Sequence, residues 1–150
     1  MTGARRVIGL GCRGCGDDAV GPLVVDEIRV RHPHLDAVEC VEPTRLLDQL
    51  GDAEVVVLVD AARSDDPPGS TRVLDVSQLP DLPGRSESSH GLSVRDVLAL
   101  AQATGRAPRT LRLVAVTGAS FAVGDPPSAM VRAATGRAAD LAVALLRAPS

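Results

Sequence analysis

The hydrophobic residues of this chain fall into short β-branched runs, separated by segments in which apolar residues recur at helical spacing. The clearest run, EVVVLV at 54–59, shows no alternation of polar and apolar positions. Such a run is typical of a strand in a parallel sheet that is covered on both faces. Further strands are predicted at 7–10, 37–41, 71–76 and 111–116.

Helices are predicted between these strands. The first has apolar residues at helical spacing, namely Val20, Leu23, Val24 and Ile28. It must begin within about a turn before Pro22, because proline fits only where the amide has no partner within the helix. Further helices are predicted at 44–50, 93–105 and 128–147. The order β-α-β-α-β-β-α-β-α predicts an α/β fold, a three-layer sandwich with a mostly parallel sheet and helices on both faces.

Length, charge and composition exclude several classes of protein. A chain of 150 residues is expected to form a single domain over residues 1–150. The net charge is −3 and Phe121 is the only aromatic residue, so nucleic acid is excluded as a partner. No run approaches the ~20 apolar residues of a membrane span, so we expect a cytoplasmic protein with no membrane partner. Three cysteines form no disulfide framework, and an odd number fits a reducing compartment.

A glycine-rich loop follows the first predicted strand. Gly9, Gly11 and Gly14 match the G-x-G-x-x-G pattern of dinucleotide-binding loops. In such a site the pyrophosphate takes the start of the following helix, where this chain has Asp17 and Asp18, and these carboxylates would repel it. A ribose-binding acid at the expected distance is also missing. Dinucleotide binding is therefore not favoured, and it stands last among the functions considered for the chain.

Other interpretations of this loop remain open. Cys12 and Cys15 form a C-x-x-C motif, which indicates either a redox dithiol or the nucleophile of a thiol peptidase acting with His90. The two carboxylates could instead bind a cation, or could simply lie at a helix start where negative charge is favoured. Asp17, and with it Asp65 and Asp66 in a later loop, is expected to be solvent-facing or supporting.

Three candidate ligands come together if the sheet is parallel. Asp18 follows the first strand through its glycine loop, Asp60 terminates the strand at 54–59, and His90 follows the long polar connection at 77–89. Open parallel sheets bind ligands beyond the carboxyl ends of their strands. Two carboxylates repel each other unless a divalent cation lies between them, and an added imidazole favours nickel or zinc over calcium.

The motifs in which these residues lie carry a resemblance. They read Gly9-Leu-Gly11, Asp17-Asp18-Ala-Val-Gly21, Val59-Asp60-Ala61, Ser89-His90-Gly-Leu92 and Val114-Ala-Val116. In order and spacing the chain resembles the hydrogenase maturation proteases. The resemblance implies a five-stranded twisted sheet between helices, and removal of a short C-terminal peptide from the nickel-loaded precursor of a nickel-iron hydrogenase large subunit.

The same resemblance implies that Asp18, Asp60 and His90 are both the catalytic and the metal-contacting residues. It further implies that the nickel belongs to the substrate, that no cofactor is permanently bound, and that the protein is a monomer. The chain departs from the family at Cys12, where asparagine is usual, and at 42–43, where a glycine pair is usual. Two alternatives remain, a cysteine-dependent peptidase using Cys12 or Cys15, and a non-catalytic nickel-binding maturation chaperone.

Overall fold

A computed structural model describes residues 3–75 and 94–149. The elements in chain order are β1 (Ala4–Leu10), a 3-10 helix (Gly16–Ala19), α1 (Val20–Arg31), β2 (Asp36–Cys40), α2 (Pro43–Leu50), β3 (Ala53–Ala62), β4 (Thr71–Asp75), α3 (Val94–Ala103), β5 (Thr110–Thr117) and α4 (Ala129–Arg147).

Within these residues, five strands form one sheet in the order β2-β1-β3-β5-β4. Neighbouring strands are parallel except β4, which runs antiparallel to β5. The connections after β1 and β2 place α1 and α2 on opposite faces of the sheet. The predicted fold class, an α/β sandwich with a mostly parallel five-stranded sheet, is confirmed.

The central strand β3 contributes to a hydrophobic core on each face, which explains its unbroken apolar run. Val55, Val57 and Val59 belong to the core formed with α1 and α4. Val56 and Leu58 belong to the core formed with α2 and α3. Each of these side chains is essentially inaccessible to solvent. Burial of a side chain of this size contributes about 1.5–3 kcal/mol, so both faces of β3 stabilise the fold.

A close approach of backbones fixes the start of α1 over the boundary between β1 and β3. A Cβ added at Gly21 would overlap the carbonyl oxygen of Leu10 and lie 2.8 Å from that of Val59. Only glycine therefore lets the first turn of α1 pack on both strands.

Most predicted elements lie where the sequence places them, but two strand boundaries were wrong. β1 begins at Ala4, three residues before the predicted start, because Ala4, Arg5 and Arg6 also pair with β3. Asp60 does not terminate its strand, since β3 continues to Ala62. The reason is that residues 60–62 remain paired with residues 115–117 of β5. The predicted loop at 77–89 and the predicted helix start at Ser93 lie outside the described residues. In the part of the chain that is described, no helix is long and apolar enough to cross a membrane.

Candidate functional site

The sheet order places a topological switch point, where a crevice is expected, between β1 and β3. The chain leaves β1 toward β2 on one side and leaves β3 toward β4 and β5 on the other, so the connections diverge between β1 and β3. Ligands of open α/β sheets bind at such a divergence. Asp18 lies in the 3-10 helix that follows β1. Asp60 lies one residue beyond Val59, the residue that pairs with Gly9 of β1.

The glycine loop holds Asp18 through its own backbone. Asp18 is half-buried, and its Oδ2 accepts a hydrogen bond of 2.9 Å from the backbone N–H of Cys12. Gly11 lies directly against it with φ of 129°, and a Cβ at Gly11 would overlap the Asp18 carbonyl oxygen. A side chain at position 11 would therefore displace the acid, which explains why glycine occupies this position.

Asp60 is also half-buried, and its Oδ1 accepts a hydrogen bond of 2.8 Å from the backbone N–H of Ala61. It shares the α2 and α3 face of the sheet with Leu58, because side chains two apart on a strand point the same way. The charge of Asp60 also affects Cys40 at the end of β2. The pKa of the Cys40 thiol is raised to about 11, mainly by burial and to a smaller extent by the negative charges of Glu42 and Asp60.

His90, the third predicted ligand, lies outside the described residues, so the set Asp18, Asp60 and His90 stays a prediction. Within residues 3–75 and 94–149, no three His, Cys, Asp or Glu side chains are grouped closely enough to hold a metal ion.

Of the two environments expected for Asp17, solvent-facing or supporting, the structure shows the second, because Asp17 is fully buried. Its Oδ2 accepts hydrogen bonds from the backbone N–H groups of Ala119 at 2.6 Å and Ser120 at 3.2 Å, and from Ser128 Oγ at 3.0 Å. Its Oδ1 accepts a further bond of 2.6 Å from the N–H of Ser128. Asp17 thus ties the glycine loop to the loop between β5 and α4.

These bonds decide the charge state of Asp17. Burial alone would raise the pKa of its carboxyl, but the hydrogen bonds from Ala119, Ser128 and Ser120 outweigh burial, so the pKa is lowered. Asp17 is therefore a buried, ionised residue that holds the glycine loop against the loop between β5 and α4.

Arg13 anchors the other side of the loop, and its role was not predicted. Its guanidinium makes two hydrogen bonds to Asp26 of α1, at 2.7 and 2.8 Å, and two to Glu39 of β2, at 2.9 and 2.8 Å. The hydrogen bonds to Asp26 and Glu39 raise the pKa of Arg13. A charged residue within a glycine loop could have indicated an anchoring role for Arg13. Its partners could not be identified from the sequence, because Asp26 and Glu39 lie in other elements.

The two cysteines of the loop lie beside the candidate site. Cys12 and Cys15 are both half-buried thiols, and their Sγ atoms are 3.1 Å apart. Cys40 is buried in the core, and its thiol donates to the carbonyl oxygen of Glu42.

Comparison with known proteins identifies relatives of this chain. The family model described as HycI, hydrogenase maturation protease, matches residues 40–144, more than half of the chain. No curated protein sequence gives a match.

Solved structures agree with the family match. The chain is similar to the hydrogenase maturating endopeptidase HybD from E. coli, with 27% identity and a TM-score of 0.82 over 96% of this chain and 92% of that one. It is similar to the [NiFe] hydrogenase maturation protease HycI from Thermococcus kodakarensis KOD1, with 27% identity and a TM-score of 0.74 over 97% and 94%. The resemblance found in the sequence and the predicted enzyme class, an endopeptidase, are confirmed, and the chain belongs to the hydrogenase maturation protease family.

Proposed function

We propose that this protein is the endopeptidase that removes a short C-terminal peptide from the nickel-loaded precursor of a nickel-iron hydrogenase large subunit. The observation that carries the proposal is the position of Asp18 in the 3-10 helix after β1 and of Asp60 near the carboxyl end of the adjacent strand β3, in a chain of this family. We further propose that the enzyme acts as a monomer in the cytoplasm.

Asp18, Asp60 and His90 recognise the nickel, and the nickel arrives as part of the substrate. Two half-buried carboxylates at one crevice repel each other, and a substrate-borne cation relieves that repulsion. A site that is complete only with the ion binds the loaded precursor more tightly than the metal-free one. The protein therefore needs no resident metal, and peptide removal is restricted to subunits that already contain nickel.

The same residues serve the hydrolysis of one peptide bond. The nickel polarises the scissile carbonyl or a bound water, or a carboxylate takes the proton of the attacking water. Both routes require the acids in their ionised form. Either route requires Asp18 to stay where the loop holds it, because a displacement of about 1 Å at a reacting centre can cost about a hundredfold in rate.

Mass spectrometry of a candidate precursor, incubated with and without nickel, tests the proposal. We expect one C-terminal cut in the nickel-loaded precursor only, and loss of cleavage in Asp18→Asn, Asp60→Asn and His90→Ala. Matched controls are Asp48→Asn and His34→Ala, because both residues are exposed and lie near the end of α2 and between α1 and β2, toward the opposite edge of the sheet. Cleavage of the metal-free precursor, or full activity in all three site variants, would refute the proposal.

Two further measurements separate the remaining alternatives. Nickel binding by the protein alone, without release of a peptide, would indicate a maturation chaperone. Loss of cleavage after alkylation of Cys12 and Cys15, with precursor binding retained, would indicate a thiol peptidase. We expect neither result, because Asp18 and Asp60 come from two adjacent strands and their connections, whereas both thiols lie in the single loop after β1.

A further inference from the structure

The thiols of Cys12 and Cys15 form a pair that the proposed function does not use. The turn between them is closed by a hydrogen bond of 3.3 Å from the N–H of Cys15 to the carbonyl oxygen of Cys12. Gly14, within this turn, has nothing near the position of a Cβ. Both cysteines are half-buried, so a small molecule can reach them. Their Sγ atoms, 3.1 Å apart, need to approach by only about 1 Å to reach bonding distance.

We propose that Cys12 and Cys15 are a redox-active dithiol that closes reversibly to an intramolecular disulfide, and that closure weakens the hydrogen bond by which Cys12 holds Asp18. The proposal concerns the chemistry of the loop and does not depend on the proposed function. It adds a modification site next to the candidate catalytic acid.

The oxidant is a low-molecular-weight disulfide. One cysteine thiolate attacks a sulfur of the oxidant, which releases one small thiol and leaves a mixed disulfide on the protein. The second cysteine then attacks the Sγ atom of the first cysteine, which closes the intramolecular disulfide and releases the second small thiol. The two protein thiols lose two electrons and two protons in total, and these end on the two small thiols.

Cys40 does not take part in this exchange. It is buried, at 3% exposure, and burial raises the pKa of its thiol to about 11. Because the thiolate is the attacking species, a thiol with so high a pKa is unreactive at neutral pH. The structure therefore separates a reactive pair in the loop from an inert cysteine at the end of β2.

Closure affects Asp18 because the same residue supplies both the sulfur and the amide. The backbone N–H of Cys12 donates to Asp18 Oδ2 at 2.9 Å, and the N–H of Asp18 donates to the carbonyl oxygen of Cys15 at 3.1 Å. Drawing the two sulfurs together moves the backbone of Cys12, which takes part in these hydrogen bonds through its N–H and its carbonyl oxygen. The neighbouring bond from Gly11 N–H to the Cys40 carbonyl oxygen belongs to the end of the β1 and β2 pairing, and closure leaves it in place.

Thiol counting tests disulfide formation. The protein is equilibrated in oxidised glutathione, quenched with acid, unfolded and alkylated for mass spectrometry. We expect one alkyl group, on Cys40, in the oxidised protein, and three after treatment with dithiothreitol. Cys40→Ala should close in the same way and carry none, whereas Cys12→Ser and Cys15→Ser should hold glutathione as a mixed disulfide. Three alkyl groups in the oxidised protein, or disulfide-linked dimers, would overturn the proposal.

Amide hydrogen exchange tests the link to Asp18. Oxidation should speed exchange at the Cys12 amide by at least about tenfold, because weakening a hydrogen bond to a charged group removes much of a contribution that exceeds a factor of about ten when the bond is intact. The Gly11 amide serves as the internal control and should not change. Unaltered protection of the Cys12 amide in the closed protein would overturn the link. Precursor cleavage should also slow on oxidation, but this last readout alone rests on the proposed function.

Discussion

Replacing Asp17 with asparagine keeps the size of the side chain but removes its charge and one of its two acceptor atoms. The wild-type carboxylate accepts four hydrogen bonds from Ala119, Ser120 and Ser128. An amide group turned either way places an NH₂ against at least one backbone N–H, since both carboxylate oxygens accept such bonds. The donor that faces the NH₂ is then left unsatisfied in a buried position.

The expected loss of stability follows from these contacts. One hydrogen bond to a charged group contributes about 1.5–3 kcal/mol, and a buried unsatisfied donor costs about 1–3 kcal/mol. The remaining bonds weaken but are not lost, so we expect Asp17→Asn to lower the free energy of unfolding by about 3 kcal/mol. That is a large part of the roughly 5–15 kcal/mol that stabilises a typical domain.

The difference between wild type and variant should depend on pH. The pKa of Asp17 is lowered in the folded state, so its charge contributes stability that is fully present above the unfolded pKa of about 4. That contribution is lost as the pH falls through the lower folded pKa. Asparagine does not titrate, so the two unfolding free energies should converge in acid.

Urea denaturation at pH 7, 4 and 3 provides the measurement. Asp125→Asn is the matched control, because Asp125 lies in the loop that Asp17 anchors but is exposed, and it should change stability by less than about 0.5 kcal/mol. A difference below about 1 kcal/mol for Asp17→Asn at pH 7, or one that does not shrink in acid, would refute the anchoring role.

Other predictions concern the glycine loop and Cys40. Gly11→Ala should cost at least about 2 kcal/mol in urea denaturation, because its φ is 129° and the Cβ would overlap Asp18, whereas Gly14→Ala, with nothing near its Cβ, should be close to neutral. Arg13→Ala should lower stability by only about 1 kcal/mol, and by less in 1 M salt, because its ion pairs are nearly half exposed; equal losses at both salt concentrations would contradict this. The pKa of Cys40 is raised from 9.0 to about 11, so its contribution is fully present below pH 9 and is lost as the pH rises through 11. Wild type should therefore lose about 2 kcal/mol relative to Cys40→Ala over this range, and parallel pH profiles in thermal denaturation would contradict the assignment.

The fold was largely predictable because local signals agree with one another along the chain. Unbroken β-branched runs occur where a strand is covered on both faces, as β3 is, and Pro22 limits where α1 can begin. The end of β3 was predicted too early because a charged residue looks like the end of an apolar run. Pairing with β5 carries the strand through Asp60 to Ala62, and pairing between distant segments is not visible in local sequence.

The candidate site was less predictable, because adjacent acids in the sequence have opposite environments in the fold. Asp17 and Asp18 lie in a 3-10 helix, which has three residues per turn, so consecutive side chains point about 120° apart. Only one of the two can face the crevice, and the spacing alone does not say which. The choice depends on donors of Ala119, Ser120 and Ser128, more than a hundred positions away, which surround the Asp17 carboxylate. Asp18 accepts a hydrogen bond from the N–H of Cys12, a residue of its own loop, so a movement of that loop is transmitted to Asp18. Changes in the loop, such as closure of the Cys12 and Cys15 pair, should therefore act on Asp18 while the Asp17 anchor stays intact.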